Sequence, residues 1–173
     1  SDEDGSLANT IWPHEWQLSA ANYKLSYDGV TIDTYGCSPE LLGNVSYPVQ
    51  MDGIGTACHE FSHCLGLPDL YDTSGSSNSA FGMDAWSLMD YGCYSDDGYK
   101  PTGYTSYERW MSGWLTPKRL TEATTITNMA ALTESPEAYI IYNDNYPDEY
   151  YLLENRQQTG SDLMIEGHGL LVL

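Results

Sequence analysis

The sequence predicts an α+β fold, in which a part built around a long helix is followed by a small β module. Apolar and polar residues alternate from Trp16 to Tyr35 on either side of Asp28-Gly29, which is a typical β-hairpin signal. The stretch from Met51 to Leu65 changes to helical periodicity. Beyond Pro117 the pattern returns to short strands, so both kinds of element occur in separate parts of the chain.

The helix over Met51–Leu65 is expected to begin at a cap and to bury one apolar face. Asp52 is the candidate cap, because a short acidic side chain can accept hydrogen bonds from the first amides of a helix. Gly66 favours a left-handed conformation that would end the helix sharply. The expected buried face, opposite the histidines of the helix, consists of Ile54, Ala57, Cys58, Phe61 and Leu65.

The remaining segments are predicted more coarsely. Residues 1–10 are small and polar and are expected to form a linker. Composition predicts loops at 73–80 and 95–103 and a short helix at 105–111 that Gly113 ends. Strands are predicted at 124–127, 138–142, 150–154 and 169–173. We place a boundary near residue 118, which gives two domains, 1–117 and 118–173.

The run from His59 to Asp69 has the pattern His-Glu-x-x-His-x-x-Gly-x-x-Asp. Helical residues four apart lie one above the other, so His59 and His63 direct two imidazoles at one point, with Glu60 beside them. With Asp69 as a third ligand, one position stays open for water, as in catalytic zinc sites. Zinc lowers the pKa of such a water toward about 7. The pattern therefore predicts a zinc peptidase with Glu60 as general base.

Two other carboxylates compete for the place of third ligand. Asp72 follows Asp69 closely and could bind the metal instead, or either aspartate could bind calcium or orient a histidine. Glu108 lies in the later short helix, from which another branch of zinc peptidases takes its third ligand. We expect Asp69, because the Gly66 turn precedes it at the spacing found in metzincin peptidases.

A second motif, Trp86-Ser87-Leu88-Met89-Asp90-Tyr91-Gly92, resembles the Met-turn that lies beneath the zinc of metzincins. Met89 would be the soft, apolar floor under the imidazoles. Tyr91 is a candidate catalytic residue, because its phenol could donate a hydrogen bond to charge that develops on the substrate oxygen. Packing at the surface is the alternative interpretation of Tyr91.

These motifs together resemble the immune inhibitor A family of secreted metallopeptidases. Further matching segments are Ile11-Trp12-Pro13-His14, Gly53-Ile54-Gly55-Thr56, Leu67-Pro68-Asp69-Leu70-Tyr71-Asp72, Pro101-Thr102-Gly103-Tyr104, Gly113-Trp114-Leu115, Tyr151–Gln157 and Gly167–Leu171. The resemblance implies a metzincin-like zinc endopeptidase domain, with His59, His63 and Asp69 as ligands and Glu60 as base, that cleaves proteins or peptides. It implies secretion, with the cell surface or the periplasm as other locations.

The resemblance also implies that the chain is incomplete. Family members have strands of the active-site sheet ahead of the Ile11-Trp12-Pro13-His14 segment, so we expect domain 1–117 to lack its beginning. The chain stops within an apolar run that resembles the middle of a strand, so we expect module 118–173 to be cut short.

The chain is strongly acidic, with 25 acidic and 6 basic residues and a net charge of −19. Such a charge repels nucleic acid and anionic membranes, and no stretch has the length of a transmembrane helix. Part of the acidity could bind calcium as a second ion, and Asp144, Asp148 and Glu149 form a candidate cluster. The sequence therefore predicts no nucleic-acid partner and no membrane insertion, and it leaves the oligomeric state open.

The four cysteines show no spacing typical of a zinc site. Cys58 and Cys64 lie on different faces of one helix and cannot readily bond to each other. We expect a disulfide between Cys37 and Cys58, with Cys64 and Cys93 as buried thiols.

A peptidase fold can also be kept for binding alone. The alternative function is therefore a catalytically silent binding or adhesion module that uses the many Tyr and Trp side chains. The intact Glu60 favours the enzyme, because a module without turnover has no need of the base.

Overall fold

The structure is a computed structural model that describes residues 11–42, 50–75 and 80–173, and it is a mixed α/β fold of short elements. In this part of the chain the α-helices are α1, Gly55–Cys64, and α2, Ser106–Met111. The strands are β1 His14–Gln17, β2 Leu25–Tyr27, β3 Val30–Ile32, β4 Thr34–Cys37, β5 Leu41–Leu42, β6 Gln50–Met51, β7 Lys118–Arg119, β8 Ala138–Asn143, β9 Tyr146–Arg156 and β10 Gly169–Val172. Short 3-10 turns are Leu18–Ala21, Asp84–Trp86, Tyr91–Tyr94 and Gly160–Asp162. The mixed class is confirmed, and the predicted linker 1–10 lies outside the described residues.

The first half of the chain contains three two-stranded ladders, β1 with β4, β2 with β3 and β5 with β6, all antiparallel. The β2–β3 hairpin turns at Asp28 and Gly29, both with positive φ, as the Asp-Gly signal predicts. Strand β4 lies against α1, where a β-carbon on Gly36 would be 3.5 Å from the carbonyl carbon of Glu60. This contact supports the helix from the side of Glu60.

The second half forms a four-stranded sheet of order β10-β9-β8-β7, in which β7 pairs parallel to β8 and the other pairs are antiparallel. The strands predicted at 138–142, 150–154 and 169–173 correspond to β8, β9 and β10. Residues 124–127 form no strand, contrary to the prediction. Their β-branched composition favours a strand, but the edge of β8 to which they could add is already paired with β7.

Helix α1 begins four residues later than predicted, because glycines press its start against another backbone segment. The amide of Gly55 donates to the carbonyl of Gly98 at 2.9 Å, and a β-carbon on Gly55 would lie 1.7 Å from the carbonyl oxygen of Cys93. The carboxylate of Asp52 accepts a bond from the Gly53 amide and does not cap the helix. The predicted cap is therefore wrong.

The predicted burial of the apolar side of α1 is also wrong. Ile54, Phe61 and Leu65 are 62%, 60% and 43% exposed. The buried residues of the helix are Gly55, Thr56, His59, Glu60 and Ser62. Hydrogen bonds explain this orientation, because the polar side chains find their partners in the interior, as Ser62 does at the hydroxyl of Tyr104.

None of the four cysteines, which all lie within the described residues, forms a disulfide, so the expected bond between Cys37 and Cys58 is not formed. Cys93 is buried as expected, whereas Cys64 is only half-buried. Strand β4, which carries Cys37, lies against the Glu60 side of α1. Cys58 precedes Glu60 by two residues, which places it about 200° away around the helix. The strand that carries Cys37 and the side chain of Cys58 therefore lie on different sides of α1.

A fully buried ion cluster joins the sheet to the segment that precedes α2. Arg156 of β9 binds the carboxylates of Glu154 at 2.9 Å and Asp162 at 2.7 Å. Its guanidinium also donates to the carbonyls of Trp86 and Gly103. Residues on both sides of position 118 thus share one buried cluster, and the division into domains 1–117 and 118–173 stays a prediction.

Replacement of Arg156 by Met should lower the free energy of unfolding by about 3–5 kcal/mol, because two buried carboxylates lose their cation. The measurement is urea unfolding followed by circular dichroism. Arg119→Met is the matched control, since Arg119 is exposed, stacks on the ring of Tyr142 and should cost less than about 1 kcal/mol when replaced. Equal losses in both variants would contradict the buried cluster.

Glu137 should make stability depend on acid pH. Hydrogen bonds from the Tyr139 hydroxyl, the Ala130 amide and Lys118 lower the pKa of Glu137 from 4.5 to about 2. Because the folded-state pKa is the lower one, this stabilisation is complete above pH 4.5 and is lost as the pH falls toward 2. Thermal midpoints measured across this window should fall less steeply in Glu137→Gln than in the parent, whereas exposed Glu134→Gln should match the parent.

Candidate metal centre

The two histidines of α1 are each held by a backbone carbonyl. Nδ1 of His59 lies 2.9 Å from the carbonyl oxygen of Leu88, and Nδ1 of His63 lies 2.8 Å from that of Leu67. A carbonyl oxygen can only accept, so each Nδ1 carries the hydrogen. In both neutral rings Nε2 is therefore left with a free lone pair, which is the form that binds metals.

These two lone pairs meet a carboxylate oxygen. Nε2 of His59 and Nε2 of His63 are 3.2 Å apart, and Oδ1 of Asp69 lies 3.2 and 3.1 Å from them. When both rings are neutral and carry their hydrogen on Nδ1, three acceptors converge on one point, which is the arrangement that binds a metal cation. Ligands at about 2.0–2.1 Å from a tetrahedral zinc are separated by roughly 3.3 Å, which the triangle matches closely. The donor set therefore fits zinc.

The end of α1 brings Asp69 back to the histidines. Gly66 has φ +91° and donates to the carbonyl of His63, while the Leu67 amide donates to that of Ser62. This pair of bonds is a Schellman motif, which reverses the chain at a left-handed residue. The prediction for Gly66 is confirmed, and the reversal also presents the Leu67 carbonyl to His63.

The two competing carboxylates have other partners in the structure. Oδ1 and Oδ2 of Asp72 accept from the amides of Ser74 and Ala80, and hydrogen bonds from these residues lower the pKa of Asp72. Glu108 is fully buried, and it accepts from the Ser87 hydroxyl and the Met89 amide. The structure thus brings Asp69 to the histidines and directs Asp72 and Glu108 elsewhere.

The segment Trp86–Gly92, here called the Met89 turn, lies beside the histidines. Its Leu88 carbonyl holds His59, and its Met89 carbonyl accepts from the amide of Leu70, next to Asp69. The side chain of Met89 is completely buried. The turn therefore contacts α1 at His59 and also contacts the segment that carries Asp69.

Glu60 borders a cavity of about 310 Å³ next to the histidine pair. Its walls include His59, Glu60, Trp12, Tyr71, Tyr91 and Tyr94. Burial raises the pKa of Glu60, with Asp69 acting in the same direction and the two histidines in the opposite one. A carboxylate whose pKa lies above its ordinary value is a better proton acceptor.

Tyr71 is a residue of the site that the sequence analysis missed. Its phenol shares a hydrogen bond with Asp69, and burial together with that carboxylate raises the pKa of Tyr71 to about 12. Tyr91, the predicted catalytic tyrosine, is 66% exposed and packs edge-on against Tyr94 at the cavity mouth. The signal for Tyr71 is its position two residues after Asp69, since alternate residues of an extended segment share a side.

The histidine–aspartate triangle is the only group of three or more His, Cys, Asp or Glu within residues 11–42, 50–75 and 80–173 that could hold a metal. At the predicted calcium cluster, Glu149 accepts a bond from the side chain of Asn143. The structure gives the calcium site at Asp144, Asp148 and Glu149 no support.

Among the described residues, the structure contains no helix long and apolar enough to cross a bilayer.

Two histidines on one helical turn, a glutamate beside the first and a carboxylate that closes the triangle define a metal-dependent hydrolase of the HExxH class. The family described as immune inhibitor A peptidase M6, catalytic domain, matches residues 3–119. The chain therefore belongs to the immune inhibitor A peptidase family, whose members are metallopeptidases.

Two relatives illustrate the similarity. Immune inhibitor A of Bacillus thuringiensis subsp. alesti is 26% identical over 101 residues, which are 56% of this chain and 14% of the relative. The pre-pro-metalloprotease PrtV of Vibrio cholerae serotype O1 (strain M66-2) is 28% identical over 106 residues, 59% of this chain and 11% of the relative. The matched part of the chain thus spans about one seventh or less of the length of these relatives.

Asp69→Ala should weaken zinc binding by more than about 100-fold, because it removes the only anionic member of the triangle. Asp72→Ala is the matched control and should change the affinity less than about threefold, since Asp72 accepts from the amides of Ser74 and Ala80 in its own loop. Competition with a chromophoric chelator measures both dissociation constants. A larger loss in Asp72→Ala would assign the third ligand to Asp72.

Proposed function

We propose that this chain is the catalytic part of a secreted zinc endopeptidase that hydrolyses peptide bonds in protein substrates. One observation carries the proposal: two histidine lone pairs and the Asp69 carboxylate converge beside Glu60 at the edge of a cavity. His59, His63 and Asp69 would hold the zinc. Membership of a metallopeptidase family supports the same chemistry.

Zinc bound there would lower the pKa of a water molecule and polarise the scissile carbonyl. Glu60 would accept the proton of the attacking water and pass it to the departing amine. Its raised pKa, caused mainly by burial, suits this role. Because Glu60 belongs to the same helix as the histidines, no loop movement is needed to bring the base to the reaction.

The chain's other residues would orient the site. The Leu88 and Leu67 carbonyls keep both histidines in the tautomer that presents Nε2. Tyr71 would fix the carboxylate of Asp69 through their hydrogen bond. Tyr91, at the cavity mouth, would donate to the developing oxyanion, and its exposed hydroxyl leaves it able to turn toward a substrate.

We propose that the Met89 turn is the Met-turn of a metzincin-like catalytic domain. Its complete burial at Met89 and its bond to His59 support this assignment. The proposed location is extracellular, as the family resemblance implies, and one relative is named a pre-pro-metalloprotease.

Glu60→Gln should reduce cleavage of an unfolded protein such as reduced casein by about 10²–10⁴-fold, because the general base is lost while the shape is kept. Zinc affinity should stay within about threefold of the parent, since Glu60 is not in the triangle. The assay compares this variant, the parent with and without a chelator, and exposed Glu122→Gln as a control. The chelator should abolish cleavage, and Glu122→Gln should match the parent.

Two outcomes would contradict the proposal. If Glu60→Gln cleaves as fast as the parent, Glu60 is not the base. If the zinc-loaded full-length protein cleaves no unfolded protein, the result favours the alternative class, a binding module that keeps the fold without turnover.

A further inference from the structure

Glu108 is a buried carboxylate that the proposed reaction does not use. Its side chain is completely buried, and it accepts hydrogen bonds on both oxygens. Oε1 accepts from the Ser87 hydroxyl at 2.8 Å and from the Met89 amide at 3.2 Å, and Oε2 accepts from the Thr105 amide. The Met89 amide is shared, because it also donates to the Ser87 hydroxyl oxygen at 2.9 Å, so Glu108 holds it both directly and through Ser87. The Thr105 bond belongs to the capping box of α2, whereas the other two reach out to the Met89 turn.

The bond to the Met89 amide has a particular geometry. The amide of Met89 and the carbonyl of Leu88 belong to the same peptide group, and that carbonyl accepts from Nδ1 of His59 at 2.9 Å. A trans peptide group points its N–H and C=O in opposite directions. One peptide group therefore connects the carboxylate of Glu108 on one side to the imidazole of His59 on the other.

Hydrogen bonds in such a row polarise one another in the interior of a protein. A carboxylate that accepts from the N–H increases the negative charge on the carbonyl oxygen, which then binds the Nδ1 hydrogen of His59 more strongly. In many metal sites a carboxylate binds the histidine directly, which fixes the tautomer and raises the basicity of the ligating nitrogen. Here a single peptide group would transmit the same effect.

We propose that Glu108 is a positioning residue that acts on His59 through the Leu88–Met89 peptide group, fixing the Nδ1–H tautomer and strengthening Nε2 as a metal ligand. The proposal rests on the metal-dependent function above and deepens it. It also accounts for the path of the Met89 turn, in which the Met89 carbonyl accepts from the Leu70 amide and so supports the segment of Asp69.

The test replaces Glu108 by Gln. A glutamine cannot accept on both sides, so its amide group must face either the Thr105 amide or the Ser87 and Met89 donors. Nitrogen-15 spectra of the imidazoles in the metal-free chain, recorded where histidine is neutral, report the tautomer of His59. The parent should show the Nδ1–H form and the variant a mixture of both forms. Zinc affinity, measured with a competing chelator, should fall about 10–100-fold.

Two matched variants separate this effect from a general loosening of the fold. Thr105→Val removes the other half of the capping box and leaves the bonds of Glu108 to the turn in place. Ser87→Ala removes the hydroxyl that also accepts from the Met89 amide, so that amide can donate to Glu108 alone. Both should retain the Nδ1–H tautomer of His59 and a zinc affinity within about threefold of the parent.

Several results would overturn the proposal. The first is a Glu108→Gln variant that keeps both the Nδ1–H tautomer of His59 and the zinc affinity of the parent. The second is a Thr105→Val variant that loses both to the same extent as Glu108→Gln. If Glu108→Gln does not fold, the parent alone decides, because an Nε2–H tautomer at His59 in the metal-free parent would exclude the relay. None of these measurements uses a peptide substrate, so failure of the relay and failure of the peptidase function give different results.

Discussion

The structure depends on keeping three hydrogen-bond acceptors together without a hydrogen between them. Two imidazole nitrogens and one carboxylate oxygen would repel one another unless something held them, and the outer atoms of the rings provide the hold. Each histidine donates from Nδ1 to a backbone carbonyl. The elements around α1 must therefore position the carbonyls of Leu88 and Leu67 within hydrogen-bond distance of the two Nδ1 atoms.

The two carbonyls belong to different segments of the chain, which are held in place in different ways. Leu67 belongs to the reversal that ends α1, so His63 is oriented by its own helix. Leu88 belongs to a separate turn, which has no long element of its own and depends on buried polar groups from elsewhere. Glu108 reaches it from α2, and Arg156 of β9 binds its Trp86 carbonyl. The orientation of His59 therefore depends on the second half of the chain.

Local features were predictable from the sequence, and long-range ones were not. The histidine spacing, the Gly66 reversal, the Asp28-Gly29 hairpin and α2 with its Gly113 end all depend on neighbouring residues, whose conformations follow from local sterics and hydrogen bonds. The expected apolar face of α1 is wrong because the helix buries its hydrogen-bonding side instead. Periodicity distinguishes the two sides of a helix, but it does not tell which side packs against the rest of the protein.

The same distinction applies within the site. Asp69 follows Gly66 at a fixed spacing, so its position was predictable, whereas Glu108 is separated from Met89 by 19 residues and its role depends on how α2 packs. Tyr71 was overlooked because a tyrosine beside an aspartate is common in a chain with 15 tyrosines. The missing disulfide has a similar cause, since a pairing guess needs the relative rotation of helix and strand.

The glycines at the start of α1 have a consequence for protein engineering. Gly53 and Gly55 touch the main chain of Gly98 and Cys93 so closely that any side chain there would displace the helix. The position of α1, which carries Thr56, His59 and Glu60 of the cavity lining, is therefore set by contacts between backbones. The cavity walls, in contrast, include aromatic side chains such as Trp12 and Tyr94. These aromatic side chains can be exchanged to change the shape of the cavity while the backbone contacts keep the helix of the two histidines in place.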